Sequence, residues 1–308
     1  MSSPIESPDM SSAPRTLAYV VWLATTIVWG TTWVVIRIGL DDLSPLLFSA
    51  SRAALGAAVF LVVAAATAWD RRPGLAEIRF WALVGGPQLG LPYALIFWAE
   101  QTISSGLTAT LFATFPAFTA VGAHLLLRDE PLSWLKLGGT VLAFVGVAVL
   151  VGPTTGPGPV PLLPIVAVLV AAASGAMAAV IVRRHGRETS TVWLTAIQIA
   201  GAAIFLIVLA AIFEPNPRIA LTTRAVASIA YLGIAVTGGC YFGLFWLLKR
   251  LDVTLVSMSV GGEATVAVFL GAWILGEPVG LRSLLGLSLV VASVALVSLH
   301  SKADAVGP

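Results

Sequence analysis

Ten long apolar stretches fill most of this 308-residue chain, and they constrain its fold more than any other feature. Short segments rich in proline, glycine or charged residues separate them. The stretches lie near residues 17–40, 45–69, 79–99, 104–127, 132–151, 162–182, 190–213, 222–247, 254–275 and 279–299. A helix that crosses a bilayer needs about 20 mostly apolar residues. The sequence therefore predicts an all-α polytopic membrane protein with ten transmembrane helices.

The composition excludes most other classes of protein. Apolar side chains make up 58% of the residues and charged ones only 10%, whereas typical soluble domains have about 45–50% and about 25%. A transmembrane β-barrel would show weak alternating segments of about 10 residues. The net charge of +2 is too small to indicate nucleic acid or another polyanionic partner. We therefore expect a chain embedded in the lipid bilayer, as a monomer or a loose homodimer.

The distribution of basic residues sets the expected orientation, because cytoplasmic loops carry an excess of Lys and Arg. If the N-terminus is cytoplasmic, that side of the membrane holds twelve basic residues: Arg15, Arg71, Arg72, Arg79, Arg128, Lys136, Arg183, Arg184, Arg187, Lys249, Arg250 and Lys302. The opposite side then holds four: Arg37, Arg218, Arg224 and Arg282. We therefore expect a multi-pass protein of the plasma membrane, such as a bacterial inner membrane, with both termini in the cytoplasm.

The two halves of the chain resemble each other at a nearly constant offset. Gly56 corresponds to Gly201, 145 residues later, and the step Glu130-Pro131 to Glu277-Pro278, 147 residues later. Glycines recur in any packed bundle of membrane helices, so the shared Glu-Pro step carries more weight. Five spans per half is an odd number, so the second half must cross the membrane in the opposite direction. Inverted repeats of this kind place a substrate site near the bilayer midplane, between the halves.

The same pattern divides the chain into segments. We predict a mobile cytoplasmic tail over residues 1–16, a first five-helix repeat over 17–151, a linker over 152–161, a second repeat over 162–300 and a tail over 301–308. The linker prediction depends on the uncharged run GPTTGPGP at residues 152–159. This run cannot be helical throughout, because proline lacks the N–H donor and clashes with the preceding turn. Glu130 and Glu277 each precede a proline at a predicted helix start, where capping of that helix explains a carboxylate.

Three short motifs resemble those of a known family. Residues 29–40 (WGTTWVVIRIGL) are similar to an opening pattern WG…(K/R)xGL, residues 44–52 (SPLLFSASR) to SPxxFxxxR, and residues 275–278 (LGEP) to an LGE step. The first-half copy, RDEP at 128–131, keeps the acid but lacks the glycine. In this order, the motifs resemble the drug/metabolite transporter superfamily, specifically its ten-helix EamA-type exporters. The resemblance implies ten helices around a central cavity, and the outward movement of amino acids or other small metabolites.

Glu263 is the clearest candidate for chemistry inside the membrane. It lies near the middle of the ninth span, directly after Gly261 and Gly262. Ionisable groups at that depth are costly and usually mark transport pathways or proton relays. A carboxyl there could bind and release protons near neutral pH, or hold a substrate ammonium group as an anion. The alternative is a structural hydrogen bond to a neighbouring serine or backbone amide.

Arg52 is the second ionisable group within a span, about seven residues into the second one. Its long stem could reach the outer interface or pair with Asp41 or Asp42. The resemblance implies a basic residue on a helix that is usually peripheral to the cavity. We therefore expect a structural role for Arg52.

Aromatic side chains form the predicted cavity wall. In the first span Trp29, Thr32 and Trp33 share one face, because spacings of three and four bring helical residues together. Tryptophan normally lies in belts at the membrane interfaces, so this placement near threonines favours a cavity. The other candidates are aromatic or sulfur-containing side chains in later spans: Tyr93, Phe115, Met177, Tyr241 and Trp246. Ordinary core packing is the alternative for each.

Prolines and glycines within the spans are candidate hinges. Pro87, Pro92 and Pro116 each interrupt the hydrogen bonding of a predicted helix, and Gly261 and Gly262 precede the candidate carboxylate. Such breaks survive in membranes where protein or a wet cavity satisfies the backbone. Ordinary kinks are the alternative interpretation.

The sequence contains no motif for metal or nucleotide chemistry, since HExxH, Walker and GxSxG patterns are absent. We therefore expect no cofactor, no metal and no ATP-driven step. The sequence favours a secondary transporter that exports small metabolites, above all aromatic or other neutral amino acids, across the plasma membrane by alternating access. Proton coupling through Glu263 and facilitated diffusion both stay open.

Three alternatives to amino-acid export remain at this point. An efflux carrier for drugs or other organic cations would be served equally well by aromatic walls with a single carboxylate. An intramembrane lipid-modifying enzyme would need paired acids, a nucleophile with a base, or a metal, and the sequence offers one unpaired acid. A non-transporting assembly subunit would not require the five-plus-five symmetry.

Overall fold

The computed structural model describes residues 15–68, 71–127, 134–151, 161–186, 188–248, 251, 256 and 259–304. Over these ranges the chain is almost entirely helical, and its only extended pairing is an isolated bridge between Leu43 and Ile219. The helices are α1 Arg15–Gly39, α2 Pro45–Thr67, α3 Leu75–Ala99, α4 Ser105–Leu126, α5 Trp134–Val151, α6 Leu162–His185, α7 Thr191–Phe213, α8 Thr223–Leu247, α9 Ser259–Leu275 and α10 Leu281–Asp304.

Length and apolar composition qualify seven of these helices as membrane spans. The other three, α5, α9 and α10, contain shorter apolar segments within the described residues. The helices fall where the ten apolar stretches predict them, with ends that differ by a few residues. Most of the predicted linker, the predicted cap Glu130, most of the predicted N-terminal tail and half of the predicted C-terminal tail lie outside the described residues.

The two sets of five helices pack with an internal two-fold pattern. Helix α1 packs on α9 as α6 packs on α4, and α3 packs on α6 as α8 packs on α1. Helix α3 also contacts α7 as α8 contacts α2, while α2 pairs with α7 and α5 with α10. Each contact therefore recurs with its partners exchanged. Because each set has an odd number of spans, the second is inverted, and the predicted architecture of two inverted five-helix repeats is confirmed.

Large apolar side chains cover the outer surface of the bundle. Val62, Leu83, Ile204, Phe269 and Trp273 are all more than half exposed. A water-soluble protein rarely exposes so much apolar surface, whereas lipid tails are a suitable environment for it. Polar side chains such as Arg52, Glu100 and Glu263 are, in contrast, buried between helices.

Two helices at matching positions contain π-helical segments. In α3 the segment is Gly86–Gly90, which includes Pro87, and in α8 it is Tyr231–Cys240. The two segments begin 145 residues apart, which is the offset between Gly56 and Gly201. Segments of this kind are frequently found at functional sites. The proline predicted the interruption of α3, but the one in α8 contains no proline and was not predicted.

The other hinge candidates differ in their surroundings. Helix α4 is interrupted between Phe112 and Phe115, and Pro116 lies at the start of its second segment. Pro92 likewise lies at the start of the α-helical segment that follows the π segment of α3. Proline is tolerated at such starts because its missing N–H has no partner there. Helix α9, in contrast, is continuous through Gly261 and Gly262, and a hinge role for these two glycines stays a prediction.

Gly262 has an evident packing role. A Cβ atom at this position would lie 2.6 Å from the side chain of Thr26 in α1. The missing side chain therefore allows α9 to approach α1, which carries the two tryptophans of the predicted cavity wall.

Candidate functional site

A cavity of about 400 Å³ lies between the two repeats. Binding sites for small molecules typically have about 300–1,000 Å³. At one end its lining reaches Arg183 and Gly186 at the end of α6, where Arg183 is exposed. At the other end the lining stops at Ile36 and Phe97, which are both buried. We call the end of the bundle with Arg183 the open end, and the end with Asp42, Glu100, Glu214 and Glu277 the closed end.

Most of the predicted binding residues meet in this cavity. Seven of the nine line it: Trp29, Thr32, Trp33, Tyr93, Phe115, Tyr241 and Glu263. The hinge candidates Pro92 and Pro116 line it as well. Met177 and Trp246 do not belong to the lining. The sulfur of Met177 lies against Gly122, and Trp246 packs on an apolar cluster around Leu247. Helical spacing alone did not determine which way these two side chains face.

Aromatic rings from both repeats form one wall. Trp29 of α1 meets Tyr241 of α8 edge to face, with 5.6 Å between ring centroids. The ring centroid of Trp33 lies 5.5 Å from that of Phe112, and the centroid of Phe112 lies 5.7 Å from that of Phe115. Among the described residues, the indole N–H of Trp33 has no hydrogen-bond partner. The wall therefore offers ring faces to a ligand, while the indole N–H of Trp33 is buried within the wall.

Two further lining residues, Phe112 and Gln88, are not among the predicted binding residues. Phe112 precedes Phe115 by three residues, a helical spacing that could have identified it. Gln88, in the π segment of α3, is a polar residue within an apolar span, and its side-chain oxygen is buried without a partner among the described residues.

Glu263 lies in the cavity wall and is 6% exposed. The hydroxyl of Ser259, one helical turn earlier, donates a hydrogen bond to its Oε1 at 3.1 Å. Within the described part of the chain, no basic side chain forms an ion pair with this carboxyl. The structure therefore combines the anticipated serine contact with access to the cavity, where a cationic group of a ligand could approach.

Arg52 lies elsewhere than the sequence predicts. Its guanidinium lines the cavity, only 1% of the residue is exposed, and its Nε and Nη2 donate to the hydroxyl of Thr237 at 3.0 and 2.9 Å. The guanidinium carbon lies 4.3 Å from the ring centroid of Tyr93. The predicted pairing with Asp41 or Asp42 is wrong, because Arg224 binds both of them.

The backbone explains why Arg52 turns inward. Gly56, one turn further along α2, approaches the π segment of α8 so closely that a Cβ atom would lie 2.8 Å from the carbonyl oxygen of Gly233. This close crossing brings Thr237 within reach of the guanidinium. The contact joins residues 185 positions apart, so it could not be predicted from local sequence.

Two glutamates fasten the closed end by capping helices of the opposite repeat. Glu277 accepts hydrogen bonds from the backbone N–H groups of Ser105 and Gly106, at 2.7 and 3.1 Å, where α4 begins. Its predicted capping of the helix that follows it is therefore wrong. The reason is Gly276, whose φ of +66° is a conformation that glycine adopts readily, and which turns the carboxylate back toward α4.

Glu214 performs the matching role at the start of α2. Its two oxygens accept from the N–H groups of Leu46 and Leu47, both at 2.9 Å. A helix N-terminus has unpaired N–H groups and a partial positive charge, so it favours a carboxylate. Glu214 was missed, although it precedes Pro215 and so repeats the Glu-Pro step that identified Glu277.

An ion-pair network lies at the same end. Arg224 donates to both carboxylate oxygens of Asp42 at 2.9 Å, and Thr222 donates to Asp42 at 2.6 Å. These hydrogen bonds lower the pKa of Asp42 to about 2, and the one from Arg224 has the largest effect. The network joins the loop after α1 to the start of α8.

Glu100 is an unexpected buried acid at this end. It follows the last residue of α3, is completely buried, and has no hydrogen-bond partner for either carboxyl oxygen among the described residues. Its backbone carbonyl accepts from Arg37 at 2.6 Å. Burial raises the pKa of the Glu100 carboxyl well above its usual range, and nearby Glu277 adds to the shift, while Arg37 and Arg52 oppose it. The predicted third span ends at residue 99, so the sequence places Glu100 in the loop that follows.

Metal ligands are not assembled in the described part of the chain, which contains no group of three or more His, Cys, Asp or Glu side chains that could hold an ion. A bundle of inverted helix repeats around a central cavity is the architecture of a secondary transporter. The model of the EamA-like transporter family matches residues 16–152 and again 162–299. The chain belongs to this family, and it is a membrane transporter rather than an enzyme.

Named proteins resemble the chain over most of its length in two cases and over less than half of it in a third. The uncharacterized transporter YoaV of Bacillus subtilis is 28% identical over 274 residues, which are 87% of this chain and 92% of that protein. The uncharacterized inner membrane transporter YedA of Escherichia coli is 25% identical and covers 90% of the chain and 89% of its own length. A probable terminal-alkyne amino-acid exporter of Streptantibioticus cattleyicolor is 30% identical over 136 residues, 44% of this chain and 45% of that protein.

The fold also occurs in a solved crystal structure. That structure superimposes with a TM-score of 0.68 at 19% identity, and the match covers 94% of this chain and 99% of the other. At this identity the likeness concerns the fold alone.

Proposed function

We propose that this transporter exports small neutral metabolites, in particular amino acids with aromatic or other neutral side chains, by alternating access. The observation that carries the proposal is the cavity between the inverted repeats, which combines an aromatic wall with the carboxylate of Glu263. The carboxylate suits an ammonium group, and the faces of Trp29 and Tyr241 suit both a cation and an apolar side chain. A partial relative named as a probable amino-acid exporter supports the same substrate class.

Alternating access requires the two ends of the cavity to open in turn. The π segments of α3 and α8 and the interruption of α4 before Pro116 are the proposed flexible points. They lie in helices that line the cavity, so a bend there changes the cavity's access. With the open end assigned to the cytoplasm, as the basic residues predict, the substrate enters from inside the cell and leaves after the closed end parts.

Purified protein in liposomes, loaded on one side with labelled phenylalanine, tests the proposal. We expect saturable flux of the amino acid, and a loss of at least about tenfold in Glu263→Gln, since a hydrogen bond to a charged group contributes about 1.5–3 kcal/mol. Folded yield should stay unchanged, because glutamine can retain the hydrogen bond from Ser259. The absence of flux for every neutral amino acid tested would contradict the proposal.

Proton coupling through Glu263 is a separate part of this proposal. An imposed pH gradient should accelerate flux in the wild type and should have no effect in Glu263→Gln. Equal flux with and without the gradient would instead indicate facilitated diffusion.

Efflux of organic cations is the second candidate function. The same carboxylate and aromatic wall favour it, since ring faces attract cations. Uptake of a cationic dye, without uptake of any amino acid, would select this function. The position of Arg52 in the cavity lining argues against it, because that side chain repels a cationic ligand.

A further inference from the structure

Arg52 has a place in the cavity that its contacts with the protein do not account for. It is a buried cation within a membrane span, where charged groups are expensive and are usually paired or functional. The contacts that hold it are one hydroxyl, that of Thr237, and the faces of Tyr93 and Phe97, at 4.3 and 5.5 Å from the guanidinium carbon. A guanidinium has five N–H donors, and the hydroxyl occupies only part of this capacity.

No carboxylate among the described residues neutralises Arg52 directly. Asp41 and Asp42 pair with Arg224. Both carboxyl oxygens of Glu100 lack a hydrogen-bond partner, so Arg52 does not bind that residue. Glu263 accepts its hydrogen bond from Ser259. The guanidinium is therefore held in orientation by neutral groups, and it lines the cavity without an anionic partner of its own.

The cavity consequently contains one group of each charge. Arg52 is seven residues from the first residue of α2, and Glu263 is twelve residues from the last residue of α9, both counted from the closed end. At 1.5 Å per residue, their backbones differ in depth by roughly 8 Å. A long arginine side chain and a small ligand can bridge such a separation together.

We propose that Arg52 binds the carboxylate of the transported substrate while Glu263 holds its ammonium group, so that the transporter selects zwitterions. This inference rests on the proposed function and names the residue that distinguishes an amino acid from an amine. Guanidinium and carboxylate form paired, charge-assisted hydrogen bonds that a point charge does not reproduce. The contacts with Thr237 and Tyr93 hold the planar group in place before the ligand arrives, which reduces the entropy lost on binding.

Ligands that differ by a single charged group test the inference on the wild type. The set is phenylalanine, its amide, phenethylamine, which lacks the carboxylate, and 3-phenylpropionate, which lacks the ammonium. We expect phenylalanine to bind the liposome-reconstituted protein at least about tenfold more tightly than each of the others, from the 1.5–3 kcal/mol of a charged hydrogen bond. Equal affinity for phenylalanine and its amide would overturn the inference without any substitution.

Variants then assign the effect to the residue. Arg52→Gln should weaken phenylalanine binding about tenfold or more and leave phenethylamine binding unchanged or tighter, while Arg52→Lys should recover part of the loss. Arg79→Gln is the matched control, since Arg79 is an exposed arginine of α3 outside the cavity lining. Detergent-purified samples should elute as single species, and if Arg52→Gln does not, the ligand series on the wild type and Arg52→Lys decides.

The outcomes separate this inference from the proposed function. If the wild type transports no amino acid, the proposed function fails and the zwitterion site fails with it. If the wild type transports phenylalanine but Arg52→Gln retains its preference over phenethylamine, the proposed function stands and the inference is wrong.

Discussion

The two ends of the bundle are built differently. At the closed end, polar contacts between the repeats are concentrated: Glu277 and Glu214 cap helices of the first repeat, and Arg224 binds Asp42. At the open end, the cavity reaches Arg183 and Val256. The repeats also form hydrogen bonds near that end: the indole N–H of Trp193 donates to the backbone carbonyl of Ala68, and the guanidinium of Arg184 donates to the backbone carbonyl of Leu126.

The closed end also contains an apolar cluster that joins both repeats and includes Leu43, Phe48 and Leu232, so the polar caps act together with apolar packing. A carboxylate on a helix N-terminus is a short-range contact that is lost when the two parts separate by a few ångströms. The sequence counterpart of Glu277 is Glu130, which lies outside the described residues. Contacts that release in this way suit the alternating access that we propose.

Removing both caps is the change with the largest expected effect on this comparison. A carboxylate at a helix N-terminus typically contributes about 0.3–1 kcal/mol, and up to about 2 kcal/mol when partly buried. The double variant Glu214→Ala with Glu277→Ala should therefore shift the equilibrium toward opening of the closed end by about 1–3 kcal/mol, roughly 5- to 150-fold. Spin labels at the exposed residues Gln101 and Asn216 should report a longer distance between the repeats.

Glu188→Gln is the control for that experiment, because Glu188 is an exposed acid near the end of α6 and away from the closed end. It should leave the distance distribution unchanged. A double variant whose distances match those of the wild type would show that the caps do not hold the end closed.

The next largest effect on the closed end should come from a change in pH that ionises Glu100. Burial raises the pKa of this carboxyl, so the closed end is most stable at pH values below the ordinary pKa of a glutamate. That stability is lost as the pH rises from the ordinary value through the raised one. The charged groups that act on Glu100 are Glu277, Arg37 and Arg52. We expect the label distance to lengthen with rising pH in the wild type and to stay short in Glu100→Gln, which remains neutral.

Glu263→Gln serves as the comparison, since Glu263 lies in the cavity and away from this end. It should preserve the pH response of the closed end even where it abolishes proton-coupled flux. A pH response that persists in Glu100→Gln would assign the effect to another group.

The sequence was informative about properties that local pattern controls. The ten spans follow from apolar run length, the inverted repeats from the offset and the odd number of spans, and the cavity face of Trp29 and Trp33 from helical spacing. Glu263 followed from the cost of placing a carboxyl at mid-membrane depth. Each of these inferences needs only residues that lie on one helix or at a fixed separation.

The remaining features depend on contacts between distant segments. The direction of Arg52 is set by Thr237 in α8, and the target of Glu277 by the start of α4. The π segment of α8 has no proline to reveal it. Glu100 follows the last residue of α3, where the predicted span also ends, but its complete burial depends on segments distant in sequence and has no local signal.

The pair between Arg224 and Asp42 should have the smallest effect of the three, because Arg224 is about half exposed and exposed ion pairs contribute little. The hydrogen bonds from Arg224 and Thr222 lower the pKa of Asp42 to about 2. Its contribution is therefore complete above the ordinary pKa of about 3.8 and is lost as the pH falls through about 2. Asp42→Asn should lengthen the label distance only slightly at neutral pH, and high salt should produce the same small change in the wild type. An effect as large as that of the double cap variant would mean that the ion pair, rather than the helix caps, holds the closed end together.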